Sequence, residues 1–210
     1  VSAITIAIDT PDAMAAAAAR AADVPLLKVK VDRASACEQV AAVRGAAPDP
    51  KLIVDPNESW TIDDVVAFQD FLIWHRVDLL EQPLPAGEDG ALADIERRLP
   101  ICADESLHTS ADLDALAGRY SHVNIKLDKT GGLTEALALA DAAKRKEFGL
   151  MVGCMVCSSL GIAPALLLAG EAEFADLDGP LWLANDREGG VHDRNGILMP
   201  PAPGFWGARA

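Results

Sequence analysis

Short apolar segments alternate with helix-forming segments along most of the chain, and this alternation constrains the fold more than any other feature. The eight apolar segments predict strands, and the seven segments between them have helical spacing. Strands joined in this way pair in parallel through right-handed crossovers. The predicted strands are residues 3–8, 26–31, 52–54, 77–80, 101–103, 123–127, 150–153 and 173–177. The predicted helices are residues 11–22, 34–47, 61–75, 91–98, 111–117, 133–147 and 162–169.

This order of elements favours closure of the eight strands into a barrel, formed by residues 1–180. An open doubly wound sheet is the alternative, but no glycine-rich phosphate loop follows the first strand to support it. Residues 181–210 have no helical period and contain Trp182, Phe205 and Trp206. We expect this segment to be an extended tail that packs on the barrel or on a further domain.

The charge of the chain excludes two classes of partner. Its 32 Asp and Glu residues outnumber its 18 Lys and Arg residues, which gives a formal net charge of −14. This charge would repel nucleic acid and anionic membranes. In addition, no apolar run approaches the roughly 20 residues of a transmembrane helix.

The cysteines indicate the compartment. There are 4 of them, too few for a disulfide scaffold in a chain of this length, which points to a reducing compartment, the cytoplasm. Cys154 and Cys157 form a C-x-x-C pair with no histidine or second such pair nearby. Packing at a strand end is therefore favoured over a redox or zinc site.

Charged residues stand at the carboxyl ends of the predicted strands, where barrel enzymes carry their chemistry. In strand two, Lys28 and Lys30 alternate with valines, so both lysines would face the lumen and the valines the helices. Strands three, four and five end in carboxylates, and strand six carries another lysine. Strands two and six are opposite each other, so the carboxylates lie on the arc between the two lysine-bearing walls. These further residues are Asp55, Glu81, Asp104 and Lys126.

Three carboxylates on one arc form a set of oxygen ligands suited to Mg²⁺. One such residue alone is ordinarily a solvated residue of a loop, but all three without a metal would be a costly cluster of like charges. If a substrate carboxylate bound the metal, the enediolate formed on loss of the α-proton would be stabilised. Lys30 and Lys126 would reach the α-carbon from opposite faces, with nearby positive charge lowering their pKa values. This arrangement predicts a racemase or epimerase, although a one-base elimination needs the same parts.

Five motifs resemble those of the muconate-lactonizing subgroup of the enolase superfamily. They occur in the family's order over nearly the whole chain. The motifs are Lys28-x-Lys30, Val54-Asp55-Pro56-Asn57, Glu81-Gln82-Pro83, Ala103-Asp104-Glu105-Ser106 and the run from Asn124 to Gly132.

The resemblance implies a modified TIM barrel of the (β/α)₇β type and a magnesium-dependent isomerase. The implied Mg²⁺ ligands are Asp55, Glu81 and Asp104, and the implied acid–base pair is Lys30 and Lys126. Three further residues are implied to support these. Lys28 would interact with the substrate carboxylate or with the neighbouring lysine, and Asn57 and Glu105 would interact with the metal ligands.

The segment from Asp176 to Pro180 at the end of strand eight resembles the one by which dipeptide epimerases hold the ammonium group of the substrate. Strand eight lies opposite strand four, so Asp176 and Asp178 would face the metal across the lumen. An acidic turn before Gly-Pro is the alternative interpretation. The resemblance implies epimerisation of a dipeptide of the L-Ala-D/L-Glu type, an activity associated with the recycling of peptidoglycan peptides.

Members of this family carry an N-terminal α+β capping domain, and no segment of this chain matches it. The expected partners are therefore a dipeptide substrate and a capping domain or a second copy of the chain. N-acylamino-acid racemisation, o-succinylbenzoate synthesis and lactone cycloisomerisation are alternatives, although their substrates lack a free ammonium group. A barrel without catalytic activity is an alternative of another class; the unmatched cap favours it and the two lysines oppose it.

Overall fold

The computed structural model describes residues 1–206, and its main feature is one sheet of eight strands in chain order. Every neighbouring pair in this sheet is parallel, which confirms the predicted pairing. All eight predicted strands are present, with shifted ends. The strands are β1 (Ile4–Ile6), β2 (Leu26–Lys30), β3 (Lys51–Asp55), β4 (Leu79–Glu81), β5 (Ile101–Ala103), β6 (His122–Lys126), β7 (Gly149–Gly153) and β8 (Phe174–Asp176).

Hydrogen bonds between the first and last strands close the sheet into a barrel. Ala3 N donates to Ala175 O at 2.7 Å, and Leu177 N donates to the Ser2 hydroxyl at 2.9 Å. The predicted barrel is therefore confirmed, and the open doubly wound alternative is wrong.

Helices connect the strands on the outside of the barrel. The start of α3 (Ile62–Trp74) shows how the sequence sets the ends of the helices, because Thr61 and Asp64 form a capping box in which Thr61 N donates to Asp64 Oδ2 at 2.8 Å. Among residues 1–206, no helix has the length and apolar character needed to cross a membrane. The helices are α1 (Pro11–Arg20), α2 (Ala36–Ala46), α3 (Ile62–Trp74), α4 (Leu113–Leu116), α5 (Leu127–Thr130), α6 (Leu133–Arg145), α7 (Ser159–Ile162) and α8 (Leu166–Ala169).

The connection between β4 and β5 differs from the prediction. The predicted helix over residues 91–98 is wrong, because Asp89–Ala93 forms a 3₁₀ turn and the chain then continues to β5 without a helix. The buried Asp89 carboxylate accepts hydrogen bonds from Ser106 Oγ at 2.6 Å and Tyr120 OH at 2.7 Å. These contacts hold the turn against the barrel and fix its conformation.

Alternation along the strands divides the interior into two parts. Side chains of one parity, such as Leu27 and Val29, join the main apolar core under the helices. Side chains of the other parity point into the lumen, as predicted for Lys28. At one end of the lumen they are apolar and form a packed plug, consisting of Ala3, Leu26, Ile53, Leu79, Cys102, Met151 and Phe174. Two residues further along the strands, the same face becomes charged and polar.

The segment after the barrel contains a hairpin that was not predicted. Strands β9 (His192–Arg194) and β10 (Ile197–Met199) pair antiparallel. They are joined by Asn195 and Gly196, whose φ values of 51° and 75° suit a two-residue turn. The Asn-Gly pair is the sequence signal for it. Gly196 O accepts from Ser2 N at 2.8 Å, which ties the hairpin to the start of the barrel.

A buried arginine holds the loops at the amino-terminal ends of β3 and β4. Arg44 of α2 donates from Nε to His75 O at 2.8 Å, from Nη1 to Pro50 O at 2.7 Å and from Nη2 to Arg76 O at 2.9 Å. Burial, together with the nearby Arg76, lowers the pKa of the Arg44 guanidinium. Backbone carbonyls therefore supply the hydrogen bonds that this buried cation needs.

Candidate active site

The charged residues predicted from the sequence come together at the carboxyl ends of the strands. Most of them are the last residues of their strands, and Asp104 directly follows β5. In the sheet register, Lys30 pairs with Asp55. The strand-end residues are Lys30 on β2, Asp55 on β3, Glu81 on β4, Lys126 on β6 and Asp176 on β8.

Lys28 lies among the carboxylates of three strands. Its Nζ is 2.7 Å from Glu81 Oε2, 2.9 Å from Asp176 Oδ2 and 3.0 Å from Asp55 Oδ2. Burial disfavours the charge of Lys28, but the three carboxylates outweigh burial and raise its pKa well above the usual value. Lys28 is therefore the shared counter-ion of these carboxylates.

Glu81 is fully buried, and its two oxygens differ in their contacts. Oε1 accepts a hydrogen bond from Asn124 Nδ2 at 2.8 Å, whereas Oε2 has its ion pair with Lys28 but no hydrogen bond. Burial raises the pKa of Glu81 to about 8, because repulsion from Asp55 and Asp104 offsets the attraction of Lys28. The protein groups around Glu81 therefore stabilise its negative charge only in part.

Asp104 is held by two lysines from the next strand and the turn after it. Lys126 Nζ donates to Asp104 Oδ2 at 2.6 Å, and Lys129 Nζ donates to Oδ1 at 2.6 Å. Although burial disfavours its charge, these lysines hold the pKa of Asp104 far below its usual value. Lys129 was not assigned a role from the sequence. It could have been predicted to lie near Asp104, because it follows Lys126 by one helical turn, on α5.

The pKa of Lys126 is shifted in the direction opposite to the one expected. Burial disfavours its charge, but attraction by Asp104 and Glu81 outweighs both burial and the repulsion of Lys28, and the pKa is raised. The expected lowering is therefore wrong for the arrangement described, in which carboxylates are the dominant neighbours.

Asn57 links Lys30 to Glu105. Lys30 Nζ donates to Asp55 Oδ2 at 2.9 Å and to Asn57 Oδ1 at 2.6 Å. Asn57 Nδ2 in turn donates to Glu105 Oε1 at 3.3 Å. The left-handed φ of 45° at Asn57 turns the chain back over the end of β3. The two residues implied as neighbours of the ligands thus form one chain of contacts with Lys30.

A glycine makes room for the polar layer in the lumen. A Cβ on Gly153 of β7 would lie 2.6 Å from Asn124 Oδ1 and 3.1 Å from Lys126 Cε. Asn124 is fully buried and donates to Glu81. The absence of a side chain at position 153 therefore allows Asn124 and Lys126 to take their places. Neither Asn124 nor Gly153 was assigned a role from the sequence.

One pocket of about 300 Å³ opens onto part of this charged layer, including Lys28. Lys30 and Lys126 line it from β2 and β6, on opposite walls of the barrel. Asp176 and Asp178 line it from the end of β8. Its apolar lining includes three large exposed side chains, Met155, Val156 and Trp182.

The two carboxylates of strand eight have few partners of their own. Asp178 Oδ2 accepts from Thr5 N at 2.9 Å, and Asp176 Oδ1 accepts from the Thr5 hydroxyl at 3.5 Å. Burial, and then repulsion from Asp176, raise the pKa of Asp178. The pair therefore leaves negative charge beside the pocket, and within residues 1–206 its one ion pair joins Asp176 to Lys28.

The C-x-x-C pair has the properties of packed thiols. Cys154 and Cys157 are both unbonded. Burial, and then the charge of Asp176, raise the pKa of Cys154 to about 12, and burial likewise raises the pKa of Cys157. Neither thiol is thus prepared to act as a nucleophile at neutral pH.

The residues implied as Mg²⁺ ligands carry suitable oxygen donors but are ion-paired with lysines. Within residues 1–206, no three acidic, histidine or cysteine side chains are grouped closely enough to hold a metal as they stand. Lysine ammonium groups instead lie against Asp55, Glu81 and Asp104. The buried oxygen Oε2 of Glu81 has an ion pair with Lys28 but no hydrogen bond, so its charge is only partly satisfied. Carboxylate oxygens are the ligands that Mg²⁺ prefers, so the residues fit this ion.

Comparison with curated proteins identifies two similar relatives. L-Ala-D/L-Glu epimerase of Escherichia coli (strain K12) is 52% identical over 200 residues, which cover 94% of this chain and 62% of the epimerase. N-acetyl-D-glutamate racemase of a Pseudoalteromonas species is 47% identical over 203 residues, which cover 97% of this chain and 64% of the racemase. The chain thus spans a little under two thirds of these relatives.

Solved structures agree with this comparison. An enolase family member from Agrobacterium tumefaciens with homology to dipeptide epimerases, solved with sodium and L-Ala-L-Glu, has a TM-score of 0.95 at 48% identity; the match covers 99% of this chain and 64% of that one. A dipeptide epimerase from Cytophaga hutchinsonii, solved with Mg and D-Ala-L-Val, has a TM-score of 0.88 at 29% identity, covering 95% and 58%. The family model described as enolase C-terminal domain-like matches residues 12–205. By this match, and by a barrel with lysines and carboxylates at its strand ends, the chain belongs to the enolase C-terminal domain-like family.

Proposed function

We propose that this chain is the barrel of a magnesium-dependent isomerase that epimerises a dipeptide of the L-Ala-D/L-Glu type. In this proposal Lys30 and Lys126 are the acid–base pair, and Asp55, Glu81 and Asp104 are the ligands of Mg²⁺. The observation that carries the proposal is that Lys30 and Lys126 line one pocket from opposite walls of the barrel.

The two lysines are positioned to act on opposite faces of one carbon atom. Asp104 fixes Lys126 Nζ at 2.6 Å, and Asn57 fixes Lys30 Nζ at 2.6 Å. One Nζ without a proton removes the α-proton, while the other Nζ returns a proton from the opposite face, so the configuration at that carbon is inverted. When bound, the cation supplies stabilisation of the negative charge that develops on the substrate carboxylate.

The carboxylates of strand eight support a dipeptide as the substrate. Asp176 and Asp178 lie at the pocket with negative charge that is only partly offset, which suits the ammonium group of a dipeptide. Two of the proteins compared are an L-Ala-D/L-Glu epimerase and a structure containing L-Ala-L-Glu. Both observations favour an Ala-Glu dipeptide over other carbon acids.

A second candidate is racemisation of an N-acylated amino acid. The relative named N-acetyl-D-glutamate racemase, at 47% identity, favours it. The ion pair of Asp176 with Lys28 at 2.9 Å also leaves less negative charge for an ammonium group. Asp178 is the residue that separates the candidates, because a neutral acetamide gains nothing from its charge.

We also propose a cellular location for the protein and a division of the chain into domains. Four unbonded cysteines support a cytoplasmic location, where peptides from peptidoglycan would be recycled. Residues 1–180 would form the barrel and residues 181–210 a tail. The exposed apolar side chains at the pocket, Met155, Val156 and Trp182, support covering of the pocket by a capping domain or a second copy of the chain.

Exchange of the α-proton in D₂O, followed by NMR with and without Mg²⁺, tests the proposal. The substrates are L-Ala-L-Glu, L-Ala-D-Glu and N-acetyl-D-glutamate. We expect Mg²⁺-dependent exchange at the Glu α-carbon of both dipeptides, with conversion between them. We expect no such conversion in Lys30→Met or Lys126→Met, whereas the exposed Lys144→Met should match the wild type.

Each outcome of this experiment has a defined meaning. Conversion of N-acetyl-D-glutamate alone would replace the dipeptide proposal by the second candidate. Asp178→Asn should slow the dipeptides selectively if the ammonium group binds there. No exchange with any of the three substrates would refute catalysis by this chain on its own.

A further inference from the structure

A buried polar network connects the protein surface with the connection between β4 and β5. Arg119 Nη1 donates to Asp89 Oδ1 at 3.0 Å. Asp89 Oδ2 accepts from Ser106 Oγ at 2.6 Å and from Tyr120 OH at 2.7 Å. Asp89 is only 1% exposed, so these three donors account for the burial of its charge.

Gln82 extends this network to the backbone of Asp104. Its Nε2 donates to Tyr120 OH at 3.0 Å and to Ser106 Oγ at 2.9 Å. Its Oε1 accepts from Asp104 N at 2.8 Å and from Ser106 N at 3.1 Å. One side-chain amide thus joins the buried hydroxyl group of Tyr120 and the half-buried one of Ser106 to the backbone at a proposed ligand of Mg²⁺.

The directions of these hydrogen bonds are fixed by Asp89. An ionised carboxylate only accepts, so the hydroxyl groups of Tyr120 and Ser106 both donate to it. Their lone pairs are then available to Gln82, and they can be reached only by its NH₂ group. The amide of Gln82 must therefore direct its oxygen toward the N–H of Asp104. The backbone favours the same orientation, because Gln82 Nε2 also donates to Leu84 O at 2.8 Å. If Asp89 were lost, the two hydroxyl groups could turn to other partners, and Gln82 would be held by these backbone contacts alone.

Gln82 also has an unusual backbone conformation. Its φ is +30°, in a region that residues other than glycine occupy only when their surroundings fix it. It is fully buried and directly follows Glu81 in the chain. Its backbone N donates to Cys102 O at 2.8 Å, and its carbonyl accepts from Glu58 N at 2.9 Å. The orientation of Gln82 therefore affects both neighbouring ligand positions, Glu81 and Asp104.

We propose that Asp89 is a positioning residue for the cation site, acting through Tyr120 and Ser106 on Gln82. It touches neither the pocket nor the proposed ligands directly, and its effect is to hold Glu81 and Asp104 at fixed places before a cation binds. The proposal rests on the proposed function in that these two residues are taken as ligands. Partners of metal ligands typically change metal affinity by 10- to 100-fold when removed.

Binding of Mn²⁺, followed by the EPR signal of the free ion, tests the proposal. Tyr120→Phe removes one hydroxyl group and keeps the packing of the ring, and Asp89→Asn removes the charge. We expect both variants to bind Mn²⁺ about tenfold more weakly or worse. The matched control is Thr10→Ala, which removes one hydroxyl at the start of α1, on the other side of the barrel. It should bind Mn²⁺ as the wild type does.

Amide hydrogen exchange of the metal-free chain gives a second reading. The N–H groups of Asp104 and Ser106 should lose protection in Tyr120→Phe but not in Thr10→Ala. If both network variants keep the Mn²⁺ affinity of the wild type, the proposal is overturned. If the wild type binds no Mn²⁺, the metal assignment of the proposed function fails instead, and unchanged protection of these N–H groups then overturns the network proposal separately.

Discussion

Replacement of Gly153 by alanine tests the packing of the polar lumen directly. The new Cβ would lie 2.6 Å from Asn124 Oδ1, 2.9 Å from Asn124 Nδ2 and 3.1 Å from Lys126 Cε. Ordinary contact begins at 3.4 Å, so the amide of Asn124 has to retreat by about 0.8 Å. Asn124 is fully buried and donates to Glu81 at 2.8 Å, so it cannot retreat without weakening that hydrogen bond.

The size of the effect follows from these contacts. Overpacking by one methyl group costs about 1–3 kcal/mol, and a weakened hydrogen bond to a charged group adds up to about 1.5 kcal/mol. We therefore expect Gly153→Ala to lower the free energy of unfolding by about 2–4 kcal/mol. The shift also reaches Lys126, and a displacement near 1 Å at a reacting group costs about 100-fold in rate.

Urea unfolding measures the stability, and α-proton exchange with L-Ala-L-Glu measures the rate. Gly45→Ala is the matched control, since Gly45 is an exposed position in α2 with open space around it. This variant should gain about 0.5–1 kcal/mol, because alanine favours the helix. Wild-type stability and rate in Gly153→Ala would refute the reasoning.

Three further predictions concern other parts of the barrel. Arg44→Met leaves the carbonyls of its loops without donors and should cost about 3 kcal/mol in urea unfolding, whereas the exposed Arg97→Met should stay within about 0.5 kcal/mol of wild type; equal costs would contradict this. Cys154 should resist iodoacetamide at pH near 8, because burial raises its pKa to about 12; rapid labelling seen by peptide mass spectrometry would contradict this. Hydrogen bonds from Thr109 N and His108 N lower the pKa of Asp112 below 3.8. The contribution of Asp112 to the free energy of unfolding is therefore present above that pH, and it is lost as the pH falls through the lower pKa of the folded state. Asp112→Asn should therefore unfold more easily than wild type at neutral pH but alike in acid, at about pH 2; a difference that persists in acid would contradict this.

The barrel could be predicted because the patterns that specify it, alternation within a strand and the order of strands, are local in the sequence. Alternation in strand two placed Lys28 and Lys30 on the lumen side and the valines outside, and the register of β2 with β3 agrees. Order along the chain then fixed which walls face each other. Both steps need only the period of a strand and the handedness of crossovers.

The parts that could not be predicted depend on contacts between distant residues. The turn at Asp89 is shaped by Ser106 and Tyr120, which are 17 and 31 residues away. The amphipathic spacing over residues 91–98 favours a helix and carries no information about those partners. The pKa of Lys126 was assigned the wrong direction for a related reason: the order of strands places carboxylates near Lys126 but does not give the 2.6 Å contact with Asp104 that raises its pKa.

The polar layer lies on the strands themselves, above an apolar plug. This position limits which insertions and deletions the gene can tolerate. Deletion of the codon for Leu27 in β2 would turn both Lys28 and Lys30 out of the lumen, because each of these side chains would move to the opposite face. Changes of length are therefore better tolerated in the connecting loops, and the loops that follow the strands lie at the end of the barrel that carries the pocket. Selection can thus alter which acid derivative is accepted while the proposed proton transfer is inherited unchanged. Two relatives with similar identity to this chain, one named for a dipeptide and one for an N-acetylated amino acid, are the outcome expected from that division.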